Sequence, residues 1–293
     1  MHWQKVTLVG VGLLGGSLGL AIRQRRLANR VVGYVRRESS IAECEHFGAV
    51  DQAGLDLSNT IQDADLIILC TPIAQMRELA EQMLPALKPG ALITDVGSVK
   101  SSVVQDLEPL FASAGAHFIG SHPMAGAEKM GVSAASPDLF AKAICILTPT
   151  PKSRPDLIQS LESFWSAVGA LPIRLTPEAH DDLVSRSSHL PHVVAAELAN
   201  YVLSPAHPKE QALLCANGFR DTTRIASASP EMWRDICLAN RKNLARVLGV
   251  FIEDLQEFQL ALENADRKAV AEFFETGKQR RDQWCAAGAS SPE

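Results

Sequence analysis

The sequence predicts an α/β domain followed by an all-α domain. Three observations carry that expectation. Short apolar runs alternate with helical patterns up to residue 175, strand signals stop after Thr176-Pro177, and long segments with apolar residues every three or four positions follow. At 293 residues and 46% hydrophobic content the chain can bury cores for two domains. The expected boundaries are 1–175 for the α/β domain, 176–285 for the helical domain, and 286–293 for a small, polar, flexible tail.

Candidate strands lie at 6–11, 30–34, 66–70, 92–96, 117–119, 143–147 and 171–175, and their alternation with helices predicts a mostly parallel sheet. The first runs into Leu8-Val-Gly10-Val-Gly12-Leu13-Leu14-Gly15-Gly-Ser17 and then into a helical stretch over 18–26. A GxGxxG loop between a strand and a helix is a dinucleotide-binding fingerprint, so the first domain is expected to be of Rossmann type. Gly10 permits the tight turn, Gly12 lets the backbone approach a pyrophosphate, and Gly15 allows close helix–strand packing. Leu13 and Leu14 complete the cofactor loop at the helix N-terminus.

The second strand ends in Gly33-Tyr-Val35-Arg36-Arg37-Glu38. NAD enzymes place a carboxylate there for the ribose 2′-hydroxyl. Val35 cannot serve, whereas Arg36 and Arg37 suit a 2′-phosphate. NADP is therefore expected over NAD, with Glu38 leaving NAD open. Two further strands end in Cys70-Thr71-Pro72 and Asp95-Val-Gly97-Ser98-Val-Lys100. Thr71 and Pro72 are expected to line the cofactor site, and Ser98 is either a hydrogen-bond partner near the nicotinamide or a helix cap.

The next segment, Gly120-Ser-His122-Pro-Met-Ala-Gly-Ala-Glu128, reads as a Gly- and Pro-braced loop. Its histidine precedes proline and is confined to extended backbone. A neutral imidazole aimed from the carboxyl edge of a cofactor-binding sheet can accept a proton while hydride leaves the same carbon. The helical half adds Ser188-His189-Leu-Pro191-His192, where the i, i+3 imidazoles lack a third ligand at a persuasive spacing, so no metal site is expected. It also adds Gly218-Phe-Arg220-Asp221-Thr-Thr223-Arg224 and, further on, Trp233-Arg234. Arginine in a Gly-led turn suits bidentate capture of a carboxylate, though chemistry alone does not choose Arg224 over Arg220 or Arg234. From Ser229-Pro230 one long helix is expected to about Leu262. At roughly 50 Å it would outreach its domain and so predicts a homodimer.

The net charge of −5 is spread along the chain without a block of like charge, which argues against nucleic-acid binding. Six scattered cysteines without a CxxC pair suit reduced thiols in the cytoplasm. No apolar run approaches a membrane span of about 20 residues, and Met1-His-Trp-Gln-Lys lacks a signal-peptide core, so a whole-chain cytoplasmic protein is expected.

Taken together, the GxGxxG loop, Gly-Ser-His122-Pro-Met-Ala-Gly, Ser-His-Leu-Pro-His192, Phe-Arg-Asp221-Thr-Thr-Arg224 and Pro-Glu-Met-Trp233 resemble the prephenate/arogenate dehydrogenase family of tyrosine biosynthesis. The resemblance covers nearly the whole chain. It implies a Rossmann domain plus a helical dimerisation domain, with oxidative decarboxylation of arogenate or prephenate. It further implies that His122 meets the substrate's ring hydroxyl with Ser98 assisting, that Arg224 pairs with a substrate carboxylate, and that His192 shares the pocket. Glu128 would stand at the pocket mouth, and Asp221 would orient the arginine turn. The wording is closest to the NADP-dependent arogenate enzymes of cyanobacteria, which favours arogenate, while Leu-Pro-His192 is also usual among prephenate enzymes. The alternatives are a prephenate-specific enzyme using NAD and a non-catalytic NADP-binding sensor. A β-hydroxyacid or imine reductase would need a helical-domain lysine acid, and Lys209, Lys242, Lys268 and Lys278 stand in no comparable motif.

Overall fold

The computed structural model describes residues 2–126 and 130–289. Its first sheet contains six strands, all parallel, in the order β3-β2-β1-β4-β5-β6. They are β1 (Trp3–Val9), β2 (Ala28–Tyr34), β3 (Gln52–Gly54), β4 (Leu66–Leu69), β5 (Leu92–Asp95) and β6 (His117–Phe118). Central strands read as unbroken apolar runs because helices cover both faces: Leu66 to Leu69 are all fully buried. The crossovers are α1 (Leu13–Gln24), α2 (Ser39–His46), α3 (Leu57–Ile61), α4 (Ile73–Met83) and α5 (Ser101–Ser113). One core packs Leu8, Leu18, Ile22, Phe164 and Trp165, and the other packs Ile67, Met76, Leu107 and Phe111.

Strand order reverses between β1 and β4, which opens a crevice at their carboxyl ends. The loop after β1 and Cys70-Thr71-Pro72 after β4 meet there. Gly10 sits at φ +96°, and a side chain on it would press on the Cys70 carbonyl at 3.0 Å.

A second sheet of three strands departs from the single sheet read in the sequence. It comprises β7 (Gly120–Pro123), β8 (Ile144–Thr148) and β9 (Leu171–Arg174), with α6 (Pro155–Ala167) before β9. The segment carrying His122 is therefore a strand rather than a loop. Its residues lack the apolar alternation of a strand, but antiparallel pairing with β8 sets His122 opposite Ile146.

After Thr176, whose hydroxyl caps the next helix, the chain is helical: α7 (Pro177–Val184), a π-helical turn over Ser185–His189, and α8 (Leu190–Val202). Then come α9 (Glu210–Leu213), α10 (Asn217–Thr223), α11 (Pro230–Ala239), α12 (Arg241–Glu263) and α13 (Arg267–Ala289). The continuous helix expected from Ser229 to Leu262 is broken at Asn240, where φ −104° and ψ 24° interrupt the helix. The buried Asn240 side chain bonds inward instead, to the Asp181 carbonyl at 2.8 Å and to His189 Nδ1 at 3.2 Å.

The chain divides into two compact units, the first ending at Arg241 and the second beginning at Lys242. Helices α7 to α11 thus belong to the same unit as both sheets. In the second unit Phe258 of α12 stacks on Phe273 of α13 at 4.3 Å. Leu255, Leu260, Leu262, Phe274 and Trp284 are exposed there. No described helix is long and apolar enough to cross a membrane.

Candidate active site

The crevice between β1 and β4 presents the N-terminus of α1, whose first turn has neither a side-chain cap nor an acidic residue. Its amides are open to an anion. A Cβ on Gly15 would collide with the Gly10 carbonyl, so the helix lies close on the strand. A Cβ built on Gly12 meets nothing within 4 Å, so backbone there faces open space. Leu13 and Leu14 are half-buried beside it. Thr71 Oγ1 is buried, and among the described residues it finds no hydrogen-bond partner. Open amides, a bare glycine and an orphaned hydroxyl fit a dinucleotide diphosphate. Arg36 and Arg37 are exposed just beyond β2, and Pro72 is exposed beyond β4.

Deeper in, β5 ends at Asp95, which is fully buried. Its carboxylate accepts from the Gly97 amide at 2.8 Å and the Ser121 amide at 3.2 Å, and it is ion-paired with Lys100. Lys100 Nζ also donates to the Ser121 carbonyl at 2.9 Å, and Ser121 Oγ donates to the Asp95 carbonyl at 2.6 Å. These bonds lash β7 to the end of β5 and set the position of His122. Burial pulls the Lys100 ammonium below its usual range, opposed by Asp95 and Asp181.

The His122 ring is 8% exposed, and its Nδ1 lies 2.8 Å from His180 Nε2. His180 Nδ1 lies 2.8 Å from Asp181 Oδ1. Asp181 accepts the backbone amides of Lys100 at 2.8 Å and Ser101 at 2.9 Å, at the start of α5. Burial, then His180, Lys100 and His189, hold His122 well below the usual imidazole range, so it is neutral at pH 7. Burial also pushes His189 down to about 4, against Asp181 and the Ser98 backbone. This places Ser98, half-buried, beside His189.

On α8 His192 bonds the Ser188 carbonyl through Nδ1 at 2.9 Å, and its ring stacks on Trp233 of α11 at 3.7 Å. Burial lowers its pKa, and the nearby Arg224 cation lowers it further. Arg224 and His192 therefore share one region, reached across α8, α10 and α11. The π-helical turn before α8 inserts an extra residue between the buried His189 and the first turn of α7. Asp221 is exposed on α10. Glu128 lies outside the described residues.

Four groups of this site had not been singled out from the sequence: His180, Asp181, Asn240 and the buried Asp95–Lys100 pair. One signal was available. Pro177, His180, Asp181 and Val184 form the buried stripe of α7, so polar residues occupy apolar positions. Such residues need buried partners.

Comparison with known proteins agrees with this architecture. Residues 18–173 match the family model described as prephenate dehydrogenase, nucleotide-binding domain, and residues 176–276 match prephenate dehydrogenase, dimerization domain. A curated prephenate dehydrogenase of Bacillus subtilis is 34% identical over 94% of this chain and 75% of its own length. A crystal structure of prephenate dehydrogenase from Aquifex aeolicus, in complex with hydroxyphenyl propionate and NAD+, superposes with a TM-score of 0.90 at 31% identity. It covers 97% of this chain and 99% of that one. Synechocystis arogenate dehydrogenase superposes with a TM-score of 0.81 at 32% identity, covering 96% and 100%.

Proposed function

The chain belongs to the prephenate dehydrogenase family of oxidoreductases, and on that footing we propose that it oxidatively decarboxylates arogenate, accepts prephenate as well, and uses NADP+. The observation that carries this reading is His122, a buried neutral imidazole anchored through Nδ1. Gly10, Gly12, Leu13, Leu14 and Gly15, with the first amides of α1, hold the cofactor's diphosphate. Thr71 and Pro72 line the opposite wall, and Arg36 and Arg37 take the 2′-phosphate. When bound, the cofactor supplies the hydride acceptor.

His122 takes the proton of the ring hydroxyl as hydride leaves the same carbon, which becomes a carbonyl. The carboxylate across the ring then departs as CO2. Its bonding electrons flow into the dienone and aromatise it, leaving a phenolate oxygen to which protonated His122 returns its proton. Arg224 pairs with a substrate carboxylate, His192 stands beside it on the Trp233 face, and Ser98 hydrogen-bonds near the nicotinamide. Asp221 orients the arginine turn. Orientation, one proton acceptor and one carboxylate anchor are all that this chemistry asks of the protein.

The working form is a homodimer, which the match to a dimerization domain and the exposed Leu262, Phe274 and Trp284 support. The test is a steady-state assay crossing arogenate and prephenate with NADP+ and NAD+. Turnover fastest with arogenate and NADP+ is expected, and absence of turnover in all four combinations contradicts the reading. A second reading, prephenate with NAD+, draws on the Aquifex aeolicus neighbour, whose structure holds NAD+. Equal or better kcat/KM with that pair would establish it instead.

A further inference from the structure

The ring of His122 is backed by a chain of hydrogen bonds whose proton positions can be worked out one after another. It begins at Asp181. The Lys100 and Ser101 amides reach Asp181 Oδ1 and Oδ2 at 2.8 and 2.9 Å, and an amide can only donate. They belong to the start of α5, where the helix dipole favours a negative charge. Asp181 is therefore an ionised carboxylate that only accepts. His180 Nδ1, 2.8 Å from Asp181 Oδ1, must carry its hydrogen there. In a neutral imidazole the lone pair then lies on Nε2, which is 2.8 Å from His122 Nδ1. His122 must donate from Nδ1, and its own lone pair is left on Nε2, for which no hydrogen-bond partner is found among the described residues.

We propose that His180 and Asp181 are positioning residues for the reaction. They lock His122 in the Nδ1–H tautomer, present Nε2 to the substrate hydroxyl, and stabilise the imidazolium that forms there through a carboxylate one ring removed. This rests on the dehydrogenase reading for the identity of the proton donor, but the tautomer itself does not. The pattern is an acid–histidine–base relay with a second imidazole between carboxylate and base, and orientation with tautomer control is what such a carboxylate supplies elsewhere. All three groups are nearly or wholly buried, at 8% exposure for His122, 0% for His180 and 2% for Asp181, so water does not compete for these bonds. The charges that face the relay are Lys100 on His122, Lys100 and Asp95 on His180, and the neighbouring His189 ring. The Lys100 cation and the neighbouring imidazoles disfavour a proton on His122, and the carboxylate hydrogen-bonded to the relay, Asp181, opposes them through His180, with Asp95 adding to it.

Two experiments on the full chain test this. In the first, kcat and KM are followed against pH for wild type, His180→Leu, His180→Gln and Asp181→Asn, with melting curves alongside. His180→Leu should lower kcat roughly a hundredfold or more with KM within about threefold. His180→Gln, whose amide oxygen can still accept from His122 Nδ1–H, should recover at least about tenfold of that loss. Asp181→Asn should also lower kcat and shift the acid limb of kcat, which a purely structural defect would not do. Wild-type kcat in His180→Leu overturns the proposal, and so does equal impairment of the Leu and Gln variants when both melt like wild type. The second experiment needs neither variants nor turnover: long-range 15N–1H spectra of histidine-labelled wild type should show His122 protonated at Nδ1 and bare at Nε2. The opposite tautomer overturns the relay even in an active enzyme. The expected tautomer in a protein inactive in all four substrate pairings would leave the relay standing and remove the dehydrogenase reading.

Discussion

Replacing Lys100 with methionine should be the most damaging single change outside the pocket itself. Lys100 and Asp95 are both fully buried and ion-paired, and Lys100 Nζ also holds the Ser121 carbonyl at 2.9 Å. Methionine fills the volume but leaves a buried carboxylate facing an apolar side chain. Removing one member of a buried pair costs about 3–5 kcal/mol. The Gly97 and Ser121 amides still donate to Asp95, which places the expected loss near the lower end, at about 3 kcal/mol. With a urea slope of about 3 kcal/mol/M, the first unfolding transition should move down by roughly 1 M. Adding Asp95→Asn removes the stranded charge while the amide's single carbonyl oxygen keeps only one of the two backbone amide bonds, so the double variant should regain part of the loss. Circular dichroism and intrinsic fluorescence during urea titration provide the assay. Lys100→Met within about 0.3 M of wild type, or a double variant no more stable than the single, would refute the account of how β7 is fastened. Loss of the Lys100 cation should also raise the His122 pKa, since that cation helps to hold it down.

Arg224→Ala should raise KM for the substrate roughly tenfold to a hundredfold while kcat changes little, as steady-state titration would show; a loss confined to kcat would contradict its role as a carboxylate anchor. The Arg36→Ala/Arg37→Ala double variant should raise KM for NADP+ by about tenfold and leave KM for NAD+ nearly unchanged, and equal effects on both cofactors would contradict the 2′-phosphate assignment. Acid should destabilise the fold through its buried neutral histidines. His189 titrates near 6.5 when unfolded and at about 4 when folded, so the unfolded state binds more protons in between and stability falls as pH drops below 6.5. By pH 5.5 this histidine alone accounts for about 1.4 kcal/mol, measurable as a lower melting temperature than at pH 7.5 that His189→Asn partly abolishes.

The central strands were legible because strands buried on both faces read as apolar runs: β4 is apolar throughout, and β1 and β5 are mostly apolar over residues 6–9 and 92–93. The cofactor loop was legible because its glycines answer to local geometry: a positive φ at Gly10 and a collision that only Gly15 avoids. β3, three residues long, carries too little pattern to be seen. β7 escaped for another reason, because Gly-Ser-His-Pro becomes a strand through pairing with β8 and through the Asp95 and Lys100 bonds at Ser121. Those partners lie more than twenty residues away. The break at Asn240 follows from side-chain bonds to Asp181 and His189, which the heptad-like spacing of its flanks concealed. His122, His192 and Arg224 could be named from local wording. His180 and Asp181 gain their meaning only when α7 docks on the first turn of α5, some eighty residues earlier in the chain.

The central claim is that His122 accepts the proton of the substrate's ring hydroxyl as hydride leaves, and His122→Asn tests it most directly. Reduced-nicotinamide absorbance after mixing saturating arogenate and NADP+ reads the chemical step itself. The account predicts a fall in kcat of roughly a hundredfold to ten-thousandfold with KM within about threefold of wild type. A His122→Asn enzyme that folds like wild type and turns over at nearly its rate would contradict it.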